Sequence, residues 1–390
     1  MTNVVLLGLT SLLTDFSSEM VVPILPFFIQ SIGGAGVAIG LIFGIGDAVA
    51  ALLRVFSGYW ADRTKKYKLF VFAGYLFSSI AKLGYIGVNM WQQVAFIRPV
   101  ERLGKGFRDA PRDAIISESV PEFKRGRAFG IQRAMDSIGA FIGAVAVLVF
   151  FVFLDFSFRN IFLVSALVGL AGVIPILFVK VPKDLSLNHH KKVSFSKLSP
   201  KARRFIVIAT IFALANFSIA FFILQTQNLL SENSTDNALL LTLIVYIVFN
   251  VVDALASGPA GALSDKIGRR RTILIGYSLF TLVCAGFVLI SLFETGHKEA
   301  FVILVILFAL YGLFKAFIDA AQRAFVSDLS QDEIRATALG TFETFTGLAA
   351  IPSGLIAGVL WNMNPMATFG FGFVLSLFSV LSLITILKNR

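Results

Sequence analysis

The stretch RPVERLGKGFRDAPRDA, Arg98–Ala114, carries eight formal charges in seventeen residues. Around it the chain is 57% hydrophobic and only 15% charged, where a soluble domain carries about a quarter. The fold turns on one question. Either this stretch is a loop in water, or it crosses a membrane with its charges facing inward.

Apolar runs of spanning length, roughly twenty residues each, recur along all 390 residues. This pattern makes the chain an all-α polytopic membrane protein. It opens on MTNVVLLGLT, which lacks the basic flank of a cleavable signal peptide. The single cysteine, Cys284, excludes an intramolecular disulfide and a cysteine metal cluster, and the three histidines fall in expected loops. The chain is therefore expected to need no metal and no cofactor. Its net charge of +11 would suggest nucleic acid in a soluble protein, but here the distribution of charge matters more than the total.

Hydropathy marks twelve spans near 4–30, 37–60, 69–88, 92–117, 127–153, 160–180, 205–230, 238–262, 272–293, 300–328, 336–361 and 366–387. The one long break, 182–203, reads as a linker between an N-terminal bundle, 1–181, and a C-terminal bundle, 204–390. Connections on one side hold Arg63, Lys65, Lys66 and Lys68, then Lys124, Arg125 and Arg127, then Lys266 and Arg269–Arg271. Those on the other side, SIGGAG, GVNMWQ and WNMNP, carry no charge, and SENSTD is acidic. The positive-inside rule places both termini and the linker in the cytosol, with anionic lipid headgroups as the expected contacts of the basic side.

The halves repeat in order. GYWADR, Gly58–Arg63, aligns with GALSDK, Gly261–Lys266; TDFS, Thr14–Ser17, aligns with ANFS, Ala215–Ser218; KGFRDA, Lys105–Ala110, aligns with KAFIDA, Lys315–Ala320. Ser117, Arg125, Ala128 and Gly130 fall on Ser327, Arg335, Ala338 and Gly340 at the same offset as the third pair. Two six-span halves joined by a linker are a transporter architecture. The repeat also answers the opening question. The partner of Arg98–Ala114 is FALYGLFKAFIDAAQRA, a membrane helix, so Arg98–Ala114 is a helix too. A central charge facing lipid costs about 2.5–3.5 kcal/mol. Arg98, Arg102, Lys105, Asp109 and Arg112 are spaced 4, 3, 4, 3 along one helical face. That face is expected to line a water-filled cavity or to meet charges on other helices, with Glu101, Arg108 and Asp113 flanking it.

The loops GYWADRTKKYK and GALSDKIGRRR resemble the cytosolic signature G-x-x-x-D-[R/K]-x-G-x-[R/K]-[R/K] of the major facilitator superfamily, the first with Lys65 where glycine is usual. The resemblance covers the full length and implies two pseudo-symmetric six-helix bundles that rock about a central site. It also implies cytosolic gate residues, here Asp62, Arg63, Asp265 and Lys266, with Arg108 or Arg112 as the partner of Asp62. Drug–proton antiporters of that family carry a glycine–proline motif in span five. This chain has Gly130, Gly139 and Gly143 there but no proline, and its glycines read equally well as close helix packing.

With no nucleophile constellation and no P-loop, the remaining chemistry is binding and proton movement. Candidate proton-coupling acids are Asp15, Glu19, Asp47, Asp136 and Glu343; candidate substrate contacts are Arg98, Arg102, Lys105, Arg133 and Asn216. Arginine grips carboxylate or phosphate bidentately. Asp15 and Glu19 serve equally well as structural partners of the basic stripe. Glu343 is the repeat counterpart of Arg133, which puts opposite charges at matching places in the two halves. Lys82 is expected to snorkel to the outer surface.

The expected function is secondary active transport of a small organic solute, proton-coupled and by alternating access, with export favoured. Uptake or exchange of an organic anion is the alternative, and a non-transporting membrane sensor a second one. The expected setting is the plasma membrane of a prokaryote. The expected partners are solute, protons and lipid but no nucleic acid, and no oligomer is required.

Overall fold

The computed structural model describes residues 1–181, 198–231, 237–293, 296–331 and 334–388, so most of the linker lies outside the described residues. Every regular element among them is helical. The first half holds α1 (Thr2–Val21), α2 (Leu25–Ser31), α3 (Gly36–Thr64), α4 (Tyr67–Gly84), α5 (Trp91–Glu118), α6 (Arg125–Leu148), α7 (Phe158–Ala171) and α8 (Ile174–Leu177). The second holds α9 (Pro200–Ala215), α10 (Ile219–Ser231), α11 (Ala238–Ile267), α12 (Arg269–Leu292), α13 (His297–Asp328), α14 (Arg335–Met363) and α15 (Pro365–Lys388).

Local sequence explains most of the boundaries. Pro23 lies in the turn between α1 and α2, and Pro26 takes an early position of α2, where a missing N–H costs nothing. The Ser157 and Ser199 side chains cap α7 and α9 by accepting from the N–H groups of Asn160 and Ala202. Eleven helices or helix pairs among the described residues are long and apolar enough to cross a membrane. The remaining candidate is α5, 28 residues long, which holds Arg98–Ala114 in unbroken helix with Pro99 and Pro111 inside. The charged stretch is a helix, as the repeat requires.

The chain forms two compact units, Met1–Gly34 with Ile45–His189, and Ala35–Gly44 with His190–Arg390. The start of α3 thus packs with the second unit, where Gly40 and Gly354 meet so closely that a Cβ on either would strike the other's carbonyl. In the first unit α1 runs along α6 and α7, and α4 along α5 and α7. Gly139 sits on the Leu12 carbonyl, Gly143 on that of Phe16, and Gly74 and Gly104 face each other, so two helix pairs, α1 with α6 and α4 with α5, approach backbone to backbone. Gly130 has open space around it. Two of the three span-five glycines therefore serve helix packing. The second unit is built on aromatic side chains. Phe222 lies among Phe217, Phe280, Phe287, Tyr311 and Phe369 with ring centroids 5.0–6.2 Å apart.

Candidate functional site

The charges of α5 divide by direction. Arg102 reaches Asp47 of α3 at 3.1 Å, and one heptad further Asp109 takes Arg54 of α3 at 2.8 Å. The two helices run parallel here, and the sign of the pair reverses from one level to the next. Ser57 Oγ donates to the Gly106 carbonyl at 2.8 Å and keeps this register. Arg112 lies 3.9 Å from Asp109, pairs with Asp113 at 3.0 Å and donates to Ser11 Oγ of α1 at 3.4 Å. The stripe therefore meets charges and hydroxyls of neighbouring helices. Lipid is not its partner.

Arg98, expected on the stripe, instead turns with the flanking Glu101 and Arg108 toward the side of α4, while the third flanking residue, Asp113, stays with Arg112. Arg98, 1% exposed, donates to Glu101 Oε2 at 2.7 Å, and the Tyr85 hydroxyl donates to the same oxygen at 2.8 Å. In this conformation Arg98 presents no surface to a solute. Arg108 sits over the Tyr75 ring, 4.2 Å from its centroid, and donates to Ser78 Oγ at 3.3 Å.

Across α1 and α6, Gln132 donates to Asp136 at 2.6 Å and to Ser11 at 3.4 Å. Asp15 is half-buried and makes no hydrogen bond or ion pair among the described residues, yet it acts electrostatically on Asp136, Lys105 and Lys82. Lys105 has the same character: half-buried, without a direct partner among the described residues, and beside Arg102. Glu19 is half-buried, and Arg133 is exposed and acts on Asp136. Asp15, Asp136, Lys105 and Arg133 thus share the first unit with the paired Asp47 and Arg102.

At the loop after α3, Asp62 accepts from the Tyr67 hydroxyl at 2.8 Å. Neither Arg108 nor Arg112 is its partner, because Tyr75 and the aspartates of α5 already hold both guanidinium groups. Arg63 and Lys266 are exposed. The second loop is tied differently: Arg269 bridges Asp265 at 2.8 Å and Asp328 at 2.7 Å, joining α11, α12 and α13. In the second unit Glu343 pairs with Arg323 at 3.0 Å and Lys315 with Asp319 at 2.9 Å, and Asn216 is exposed at the break between α9 and α10.

Lys82 corrects an expectation. Rather than snorkelling outward it is 0% exposed, and its Nζ donates to Ser17 Oγ at 2.6 Å and Ser18 Oγ at 3.0 Å. The signal was present in the sequence: Tyr75, Ser78, Ser79 and Lys82 fall at i, i+3, i+4 and i+7 and form one polar face, which is buried.

A family model described as Major Facilitator Superfamily matches residues 7–298 and 206–390. An uncharacterized MFS-type transporter of Methanocaldococcus jannaschii is 44% identical over 98% of this chain and 94% of its own length. The multi-drug resistance efflux pump PmrA of Streptococcus pneumoniae is 25% identical over 70% of each chain. Among solved structures, a mutant of the nucleoside transporter NupG superposes with a TM-score of 0.82 at 14% identity, covering 99% of both chains, which is a likeness of fold.

Proposed function

Because the chain belongs to the major facilitator superfamily and is a membrane transporter rather than an enzyme, we propose that it exports a small organic solute by proton-coupled alternating access. The observation that carries this reading is Asp15: a half-buried carboxyl on α1 with no direct partner among the described residues, within electrostatic reach of a second acid, Asp136. A carboxyl so placed is able to load and release a proton, whereas Asp109 is engaged in an ion pair with Arg54. Export is supported by relatives that bear the names of multidrug pumps. In this reading Arg102, Lys105 and Arg133 contact solute, the Arg269 bridge and Asp62 brace the cytosolic ends of the helices, and both termini lie in the cytosol of a prokaryotic cell.

The test is flux in proteoliposomes under an imposed pH gradient, with ethidium as a lipophilic cation and benzoate as an organic anion. Gradient-dependent movement of ethidium that is lost in Asp15→Asn supports the proposal. Flux indifferent to the gradient, in wild type and variant alike, overturns the coupling. Lys105 favours the second reading, an organic anion as solute, because it is a cation without a direct partner among the described residues. That reading is upheld if benzoate, and not ethidium, is moved and Lys105→Gln abolishes its movement.

A further inference from the structure

The doubled half places the same two charges in different surroundings. Lys105 and Asp109 of α5 fall on Lys315 and Asp319 of α13 at one offset. In the first unit Asp109 is buried and held by Arg54 of α3 at 2.8 Å. Counted back from the aligned Gly58 and Gly261, the residue that matches Arg54 is Ser257 of α11. A serine brings no positive charge, and its hydroxyl donates to the Asp253 carbonyl at 2.7 Å. Asp319 pairs instead with Lys315, one turn back on its own helix, at 2.9 Å. The Asp319 side chain stays 41% exposed and that of Lys315 43%.

The depth of this pair determines what it is exposed to. α13 is 32 residues long, about 48 Å. Lys315 lies within about 5 Å of its midpoint and Asp319 within about 10 Å. A charge turned to lipid at that depth is strongly unfavourable. The exposed apolar residues Val302 and Ile306 mark the lipid side of the helix. Lys315 follows Ile306 by nine residues, about two and a half turns, and so points the opposite way. The face of Lys315 and Asp319 is therefore a wall open to water inside the membrane span. It continues toward Arg323, which reaches Glu343 of α14 at 3.0 Å.

The two members of the pair differ in what they can give up. Lysine carries its charge on a flexible four-carbon stem, so a displaced Lys315 ammonium can swing into the water of the wall. The short Asp319 side chain cannot move away in the same manner. An incoming anion at Lys315 would be left beside a fixed carboxylate, whereas an incoming cation at Asp319 meets an ammonium that can leave. We propose that Asp319 is the solute-binding carboxylate of the second unit and takes the cationic group of the solute, with Lys315 as its partner when the solute is absent. This rests on the reading of the chain as an exporter of a small organic solute, and it names the charge of that solute.

The experiment is a fluorescence titration of ethidium against the full chain reconstituted in phosphatidylcholine liposomes. Wild type is expected to bind. Asp319→Asn is expected to weaken binding about fivefold, Asp319→Glu to restore most of the loss, and Lys315→Gln to tighten binding about twofold. Unchanged affinity in Asp319→Asn overturns the proposal and leaves ethidium a solute held elsewhere. Equal losses in Asp319→Asn and Lys315→Gln mark a pair that only braces α13 and overturn it as well. Absence of binding to wild type overturns the cationic reading of the solute and this proposal with it, a distinct result. A second measurement covers a variant that fails to fold. Asp319→Cys is expected to react in membranes with a charged methanethiosulfonate and Ile306→Cys to stay silent, against a native Cys284 that is buried. Silence at both positions removes the water-open wall on which the site depends.

Discussion

Lys65 adopts φ +58°, the left-handed region, where its family-like loop calls for glycine, and Gly268 at the matching place has φ +89° and ψ 142°. A side chain in the left-handed region costs about 1–2 kcal/mol, offset in part by the greater freedom that glycine recovers on unfolding. Lys65→Gly is therefore expected to stabilise the protein by up to about 1 kcal/mol, read as a higher thermal midpoint in detergent. Gly268→Ala is expected to lose about 1–3 kcal/mol, because its backbone conformation belongs almost to glycine alone. A loss on Lys65→Gly would show that the lysine's contacts outweigh the backbone strain. At the same scale, residue type was a good guide to chemistry but a poor guide to exposure. Lys82 and Arg98 are both cations in membrane helices, and both are sealed inside the first unit. Arg98 finds its carboxylate three residues on, in Glu101 of the same helix, whereas the serines that hold Lys82 come from α1, out of reach of any local pattern.

The pairing of α3 with α5 is the clearest lesson at the scale of elements. Asp109 is 12% exposed and Asp47 is 47% exposed, although both pair with arginine across the same two helices. Removing one member of a sequestered pair strands the other, at about 3 kcal/mol or more, while a solvated pair contributes about 0–1 kcal/mol. Asp109→Asn is thus expected to destabilise far more than Asp47→Asn in thermal unfolding. The exchange Arg54→Asp with Asp109→Arg is expected to recover part of the loss. Equal effects of the two single variants would mean that burial does not rank this ladder. The α1–α6 contact offers a second comparison. Gly139→Ala drives a methyl into the Leu12 carbonyl and is expected to cost about 1–3 kcal/mol, whereas Gly130→Ala meets nothing and is expected to be neutral or slightly stabilising. The glycine spacing was visible beforehand. Which glycines meet a neighbour depends on the rotation of each helix, and the run of residues in one helix does not contain that.

For the molecule as a whole, sidedness is the property most open to test. Cys284 is buried, so a membrane-impermeant maleimide is expected to leave the native chain unlabelled in intact cells. Lys124→Cys, on the basic side, is expected to stay unlabelled until the membrane is opened, and Met90→Cys, on the uncharged side, to label at once; both positions are exposed. The reverse pattern would overturn the cytosolic placement of the termini. The spans themselves were legible because apolar length is a local property, and α5 became legible through its repeat partner. The break at Pro23 was legible from proline chemistry, whereas no such residue marks the break at Asn216–Ser218. The amino-acid sequence by itself determined the helices, the doubling of the half and the charged face of α5, all of which depend on near neighbours or on internal likeness. Only the tertiary structure decided the partners: Arg54 for Asp109, Tyr67 for Asp62, and two serines for Lys82. Each depends on which helices lie side by side and at what rotation, and that is settled by packing over the whole unit.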